Sequence, residues 1–427
     1  MTNQAQRIEQ YFDRLWPLNR SITGPGFRQS LEILSEIAPF KNLEFATGRK
    51  VLDWTIPQEW RVKEAYLICP DNKKRADFKV NNLHLVGYSR PFAGSLSLSE
   101  LKEHLYSLPD QPRAIPYVTS YYKDYWGFCL SDEELKSLPQ GVYQAVVDTE
   151  LTDGELVVGE TVLRGESKKE ILFSSYLCHP SMANNELSGP LVLAFLYEQL
   201  SKLPQRKFTY RFVLAPETIG AIAFLSERGK HLKKNLAAGY QLTCLGDKGK
   251  FTYKKSRQEN SLADRAALQI LKELDGHNIV SFNPAFGSDE RQYCSPGFNL
   301  PFGSLMRTMY AQYPEYHTSL DNKSLMDFGR MEQTVEVLIS IIRAIEGNQT
   351  FINRQPYGEP QLGPRGLFRS LSTKEPQKEE DLAIWWLLNM SDGSHDLLSI
   401  AEKSGQKIDA LISASQRLEQ ADLLKKS

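Results

Sequence analysis

Between Glu155 and Gly347, apolar strand-like runs alternate with helical ones, and this alternation constrains the fold more than any other feature of the chain. LVVGETVLRG reads as a hairpin strand, KEILFSSYL as a buried strand and GPLVLAFLYEQLSKL as a helix. TYRFVLAP, AAGYQLTCLG and FGSLMRT are further strands. GAIAFLSERGKHL, ADRAALQILKEL and FGRMEQTVEVLISIIRAIEG are further helices. Strands that are apolar almost throughout belong in a sheet covered on both faces. Strand and helix in alternation predict a largely parallel α/β sheet.

The remaining chain reads differently. Residues 5–37 read as two helices separated by the turn NRSITGPG, with Ile8, Tyr11, Phe12 and Leu15 at helical spacing in the first. From about Leu43 to Leu151, short β-rich runs such as DWTIP, EAYLICP and AIPYVTSYY predict a small β-rich module set into a larger domain. A proline- and glycine-marked linker runs from Gln355 to Gly366. Three helical patterns follow from about Asp381, with a turn at Ser404-Gly405, and together they resemble a helix-turn-helix module. The expected organisation is an α/β domain over 1–45 plus 152–350, an inserted β-rich domain over 46–151 and a C-terminal domain over 367–427.

Composition narrows the setting. A net charge of −1 argues against a whole-protein role on nucleic acid or an anionic membrane. There is no run of about 18 apolar residues, so no transmembrane helix is expected. The N-terminus MTNQAQRIEQYFDRLW lacks the apolar core of a signal peptide. Five dispersed cysteines without CxxC spacing fit reduced thiols, and a cytoplasmic protein is expected.

Residues able to do chemistry fall at strand ends, where α/β sheets build their crevices. His179 follows EILFSSYL, and Asn185 and Glu186 come just after it, before Ser188-Gly189 opens a helix. Glu217 follows FVLAP, Asp247 follows YQLTCLG, and His317, Ser319 and Asp321 lie in the loop after FGSLMRT. Each has a structural alternative. Glu217 can serve a helix start, Asp247 a turn, and Asn185 and Glu186 a helix cap. Four strand-to-loop junctions that each deliver a metal-competent or proton-transferring group form a stronger signal than any one of them.

His179, then the N-x-x-S-G frame at Asn185, P-E-x-x-G at Glu217, an aspartate after a strand and Y-H-T-S-x-D at His317 resemble the zinc aminopeptidases of the M28 type. RSITGPG, DWTIPQEW, YVTSYYKDYWGFC, CHPSMANNELSGP, APETIGA, GSDERQYCSPGF and EYHTS together resemble a bacterial aminopeptidase-like family associated with polysaccharide biosynthesis. That resemblance implies a three-layer phosphorylase/hydrolase-like α/β core, a β-rich inserted domain and a winged-helix-like C-terminal domain. The chain departs from the M28 pattern at two positions. Asn185 stands where a bridging aspartate is expected, and Thr218 where a second glutamate follows the first. An amide brings no charge to bridge two cations, so the resemblance implies one Zn²⁺ rather than two.

The expected metal set is therefore His179, His317 and one carboxylate, either Glu186 or Asp247, with an open water position. Glu217 is the expected general base, and Arg291 or Tyr316 the expected oxyanion partner. Asn185, Asp289, Arg291 and Tyr316 are candidate substrate contacts, although Asp289 and Arg291 also suit a local ion pair. The reaction implied is hydrolysis of an amide in a peptide or a small molecule. The alternative is an altered peptidase homologue that binds a ligand or partner without turnover.

The β-rich segment clusters Trp54, Trp60, Tyr117, Tyr121, Tyr122, Tyr125 and Trp126. Most are expected in its core, and a lid over the active site is the sharper alternative. From Asp381 to Ser427 five basic residues face seven acidic ones, and little chain remains for a β-wing. The tail therefore reads as a packing or dimerisation module, compatible with a homo-oligomer. DNA binders carry a basic face, so we expect titration of the protein into duplex DNA to detect no salt-dependent binding.

Overall fold

Thr209–Ala215, Glu170–Tyr176, Leu236–Leu242 and Phe302–Met306 run parallel through the middle of an eight-stranded mixed sheet. They are the runs read from sequence as buried strands, and nearly every residue in them is inaccessible to solvent. The sheet continues antiparallel through Glu155–Leu163 and Lys41–Ala46. The computed structural model describes residues 2–367 and 379–427.

Helices follow the strands as the alternation predicts: Ser188–Ser201 after Glu170–Tyr176, and Ile219–Asn235 after Thr209–Ala215. Gly189 explains how closely the first of these approaches the sheet. A Cβ there would collide with Ser175 Oγ and the Leu242 carbonyl. The parallel arrangement sends all four strand C-termini to one edge of the sheet, where α/β folds place their ligands.

The β-rich segment forms a four-stranded antiparallel sheet in the order Lys74–Arg75, Glu59–Ile68, Val142–Thr152, Phe92–Ser97. Tyr143, Ala145, Val147 and Thr149 alternate inward along one strand, the period-two signature of a sheet with one buried face. Aromatics fill its core as expected. Trp60 stacks on Tyr88 at 5.5 Å and Phe92 on Trp126 at 4.1 Å.

A second compact unit comprises Leu262–His277 and Val337–Ser427. Residues 368–378 of the expected C-terminal module lie outside the described residues. The helices Glu379–Met390, Leu397–Ser404 and Ile408–Gln420 match the three helical patterns. The expectation that too little chain remains for a β-wing is corrected. Thr350–Asn353 pairs with both Asp392–Asp396 and Leu424–Lys426, so a strand from before the helices completes a three-stranded sheet. The helix Leu262–Leu271, read as part of the α/β alternation, groups with this unit through Arg265, which binds Asp396 at 2.7 Å and Glu402 at 3.0 Å. Among the described residues, no helix is long and apolar enough to cross a membrane.

One ion pair ties the N-terminal helix Pro25–Ser35 to the β-rich sheet. Arg28 binds Glu59 in bidentate fashion at 2.7 and 2.8 Å, and Arg61 adds a third contact at 2.9 Å. The Arg28 hydrogen bonds, against the opposing effect of burial, pull the Glu59 carboxyl down to about 2. A depressed acid stabilises the fold above its unfolded pKa, and the benefit is lost as pH falls through the folded one. We therefore expect Glu59→Gln to cost about 1–3 kcal/mol at neutral pH. In denaturant titrations the gap to the unsubstituted protein should narrow as pH falls from 4.5 toward about 2.

Candidate active site

The strand Glu170–Tyr176 ends three residues before His179, and the chain then enters a π-helical turn, Ala183–Leu187, before the helix Ser188–Ser201. Such wide turns recur at functional sites. Here the turn buries Asn184, Asn185 and Glu186 completely and sends the two last side chains to different partners. Glu186 Oε2 accepts the His179 Nδ1–H at 2.7 Å. Asn185 Oδ1 accepts the Tyr176 hydroxyl at 3.0 Å. Asp321 clamps the turn from below its start, accepting the Asn184 and Asn185 backbone N–H groups at 2.6 and 2.9 Å.

His179 lies between two carboxylates. Its Nδ1 faces Glu186, and its Nε2 lies 3.6 Å from Glu217 Oε2. Burial opposes a charge on this imidazole, but the Cys178 sulfur and Glu186 outweigh it and hold its pKa well above the ordinary range. Glu217 is raised by burial, with His179 opposing. Its Oε1 accepts the Ser288 hydroxyl at 2.6 Å. His317 completes the group, its ring centroid 5.5 Å from that of His179. Burial, with the charge of His179 adding to it, drives His317 down to about 3 and keeps it neutral. Its Nε2 is buried and has no hydrogen-bond partner. Tyr316 stacks flat on the His317 ring at 3.9 Å.

His179, Glu217, Thr218 and His317 line a cavity of about 320 Å³ together with Ile22, Cys178 and Ile219. Trp54, Tyr117, Thr119, Tyr121 and Tyr122 of the β-rich segment line it too. The segment is therefore at the cavity, as a lid requires. Thr218 and His317 adopt left-handed φ angles of 62° and 55°. Such backbone is costly for non-glycine residues and gathers where geometry is imposed by function.

The structure brings His179, Glu217 and His317 into one cavity wall with Glu186 against His179, and Tyr316 stacks on His317, while Asn185, Asp247, Asp289 and Arg291 stand outside the cavity lining. Glu186 meets His179 through Oε2 at Nδ1, the ring nitrogen on the side opposite Nε2, and its Oε1 has no hydrogen-bond partner. Asp247, expected as a possible ligand, is in neither the cavity lining nor the cluster around His179. It accepts from Asn184 Nδ2 at 2.9 Å, Thr308 Oγ1 at 2.8 Å and the Gly249 N–H at 2.5 Å, which makes it a loop-organising acid. Asp289 is fully buried and accepts the Thr218 N–H at 2.7 Å. It makes no ion pair with Arg291, whose Nε donates to the Ser288 carbonyl at 3.2 Å. Arg291, Asn185, Asp289 and Tyr316 are all absent from the cavity lining.

Sequence reasoning missed several contributors. Arg20, from the RSITGPG turn, is fully buried; it donates to the His179 carbonyl at 3.2 Å, and its Nε lies 3.8 Å from Glu186 Oε1. The length of the RSITGPG match was the available signal. Cys178 joins His179 and Glu186 in a cluster of metal-competent atoms. Within it, His179 Nδ1 lies 2.7 Å from Glu186 Oε2 and 3.5 Å from the Cys178 sulfur. Thr243, one residue beyond the strand Leu236–Leu242, holds the Tyr176 hydroxyl and Asn185.

The domain of unknown function DUF4910 matches residues 9–348, and a winged helix-turn-helix model matches residues 349–426. A Clostridium acetobutylicum protein, provisionally named a polysaccharide biosynthesis protein with aminopeptidase-like domain, is 41% identical over 98% of this chain and 96% of its own length. A crystal structure of a provisionally named peptidase from the same organism aligns with a TM-score of 0.93 at 40% identity, covering 99% of this chain and 96% of the other. A zinc aminopeptidase from Bacillus subtilis aligns with a TM-score of 0.58 at 12% identity, covering 80% of this chain and 93% of the other, a likeness of fold. The α/β core thus has the zinc-aminopeptidase fold, and the chain belongs to the DUF4910 family of aminopeptidase-like proteins with a C-terminal winged helix.

Proposed function

We propose that this protein hydrolyses an amide bond in a small molecule or sugar, with Glu217 as general base and His179 and His317 as the seat of one zinc ion. The observation that carries this reading is His317 Nε2, a neutral, buried ring nitrogen without a partner, in the same cavity wall as His179 and Glu217. Buried polar atoms are rarely left unsatisfied, and a neutral imidazole nitrogen is a zinc donor. Bound there, zinc would supply a water acidified from about 15.7 toward 7 and a Lewis acid for the carbonyl.

The chain's own residues prepare that chemistry. Glu186 holds the Nδ1–H of His179 and so points Nε2 toward Glu217 and the cavity, where a bound zinc would take the place of the Nε2 proton, the usual arrangement behind a metal-binding histidine. Ser288 holds one oxygen of Glu217 and leaves the other facing His179. Burial raises the basicity of Glu217, with His179 opposing, which suits it to take a proton from water and return it to the leaving nitrogen. The name of the Clostridium relative supports a sugar-linked substrate. All five cysteines are free and buried, which supports a reducing, cytoplasmic setting.

A second reading is favoured by Asn185 and Thr243. These are uncharged groups, both hydrogen-bonded to Tyr176, beside the histidine that would hold the metal. They suit a homologue that binds a ligand or partner in polysaccharide biosynthesis without turnover.

Metal analysis and kinetics separate the two. We expect at most one zinc per chain, loss of amide hydrolysis on chelation and recovery on adding zinc, and a fall in kcat of at least about 100-fold in Glu217→Gln. No bound zinc together with unchanged activity in Glu217→Gln would overturn the hydrolase. Zinc without hydrolysis of any amide favours the binder. Glu186→Gln should weaken zinc binding by about 10–100-fold. Glu186→Ala should also cost about 3–5 kcal/mol in denaturant unfolding, because it strands the buried Arg20 charge.

A further inference from the structure

The β-rich segment supplies an aromatic wall to the reaction cavity, and backbone pairing fixes it there. The Tyr117 N–H donates to the His317 carbonyl at 2.9 Å, the Ser319 N–H donates to the Ile115 carbonyl at 2.9 Å, and Pro116 bridges to Thr318. The wall therefore belongs to the same rigid piece as His317. Tyr117 and Tyr121 are half-buried, with their hydroxyls 3.3 Å apart.

Trp54 and Tyr122 are different. They are 37% and 58% exposed, and their rings meet edge to face at 6.2 Å. The Tyr122 hydroxyl is fastened to the Thr55 carbonyl at 3.3 Å, next to Trp54 in the chain. Tyr122 also holds a left-handed φ of 64°, a costly backbone conformation for a residue other than glycine. An exposed aromatic pair kept at that cost beside a reaction cavity does not serve a core. The pair leaves aromatic surface open to solvent where it lines the cavity, and the hydroxyls of Thr119, Tyr117 and Tyr121 give the same wall polar tips.

Charge narrows the ligand. Glu217 is the only carboxylate among the described residues lining the cavity, and Ser288 and His179 already engage it. No second anion is present there to receive the free ammonium of a peptide N-terminus. A ring with an apolar face and a hydroxylated rim suits the wall better.

We propose that Trp54 and Tyr122 form a stacking platform for an uncharged sugar ring bearing the scissile amide, so that the substrate class of this site is an N-acylated amino sugar. This rests on the amide-hydrolase reading above. In the reaction, water's oxygen bonds to the acyl carbon, the C–N bond breaks, and the amine leaves with the proton held by Glu217, giving a carboxylic acid and an amino sugar.

The test reads binding apart from turnover, using the full chain carrying Glu217→Gln with N-acetylglucosamine and the dipeptide Ala-Ala as probes. Saturation-transfer NMR should show contact to the sugar's ring protons. Adding Trp54→Ala or Tyr122→Ala should weaken sugar binding about tenfold, with the far-ultraviolet circular dichroism spectrum unchanged. Sugar binding with no hydrolysis by the unsubstituted chain leaves the platform standing and overturns the hydrolase. No sugar binding, tighter binding of Ala-Ala, or amide hydrolysis unaffected by Trp54→Ala and Tyr122→Ala overturns the platform and leaves the hydrolase reading intact.

Discussion

The short bond between His179 Nδ1 and Glu186 is the interaction on which the site turns. It sets which ring nitrogen faces the cavity, and it does so from a carboxylate with no access to water. Such a carboxylate needs positive compensation. Arg20 lies 3.8 Å away with no exposure of its own, and burial lowers its guanidinium to about 10. The same arginine binds the His179 carbonyl and the Leu15 carbonyl at the end of the first helix. Removing any one of the three would leave a buried polar group unpaired.

A second buried ion pair does comparable work for Glu217. Lys254 and Glu290 meet at 2.7 Å with no solvent exposure, and Lys254 also binds the Asn283 and Phe286 carbonyls. Glu290 in turn accepts the Ser288 N–H at 3.0 Å. The pair thereby fixes the loop from which Ser288 reaches Glu217 and Asp289 reaches the Thr218 backbone. Glu217 is thus positioned by a loop distant in sequence, which lets the sharp turn at Thr218 persist.

The architecture was legible in the chain because burial on both faces writes itself as uninterrupted apolar runs. EILFSSY and TYRFVLA could be little else, and the residues at their ends, His179 and Glu217, follow directly. His317 was readable from its motif. Roles among neighbouring residues were not. Asn185 and Glu186 are adjacent, and only the π-helical turn decides that one meets Tyr176 and the other His179. Asp247 looked like a strand-end ligand, yet the strand stops at Leu242, so Thr243 takes the site-facing position and Asp247 lies beyond the bend.

Periodicity and residue order along the chain sufficed for the parallel core, its buried strands and the placement of His179 and Glu217 just past their C-terminal ends, since these depend on local pattern and on the hand of the polypeptide. The tertiary structure alone decided the meeting of Glu186 with His179 Nδ1, the support from Arg20 and Ser288, and the arrival of Trp54 and Tyr122 at the cavity. Those features depend on contacts between residues far apart in sequence. Side-chain direction at such contacts is set by packing in three dimensions, which a one-dimensional pattern does not encode.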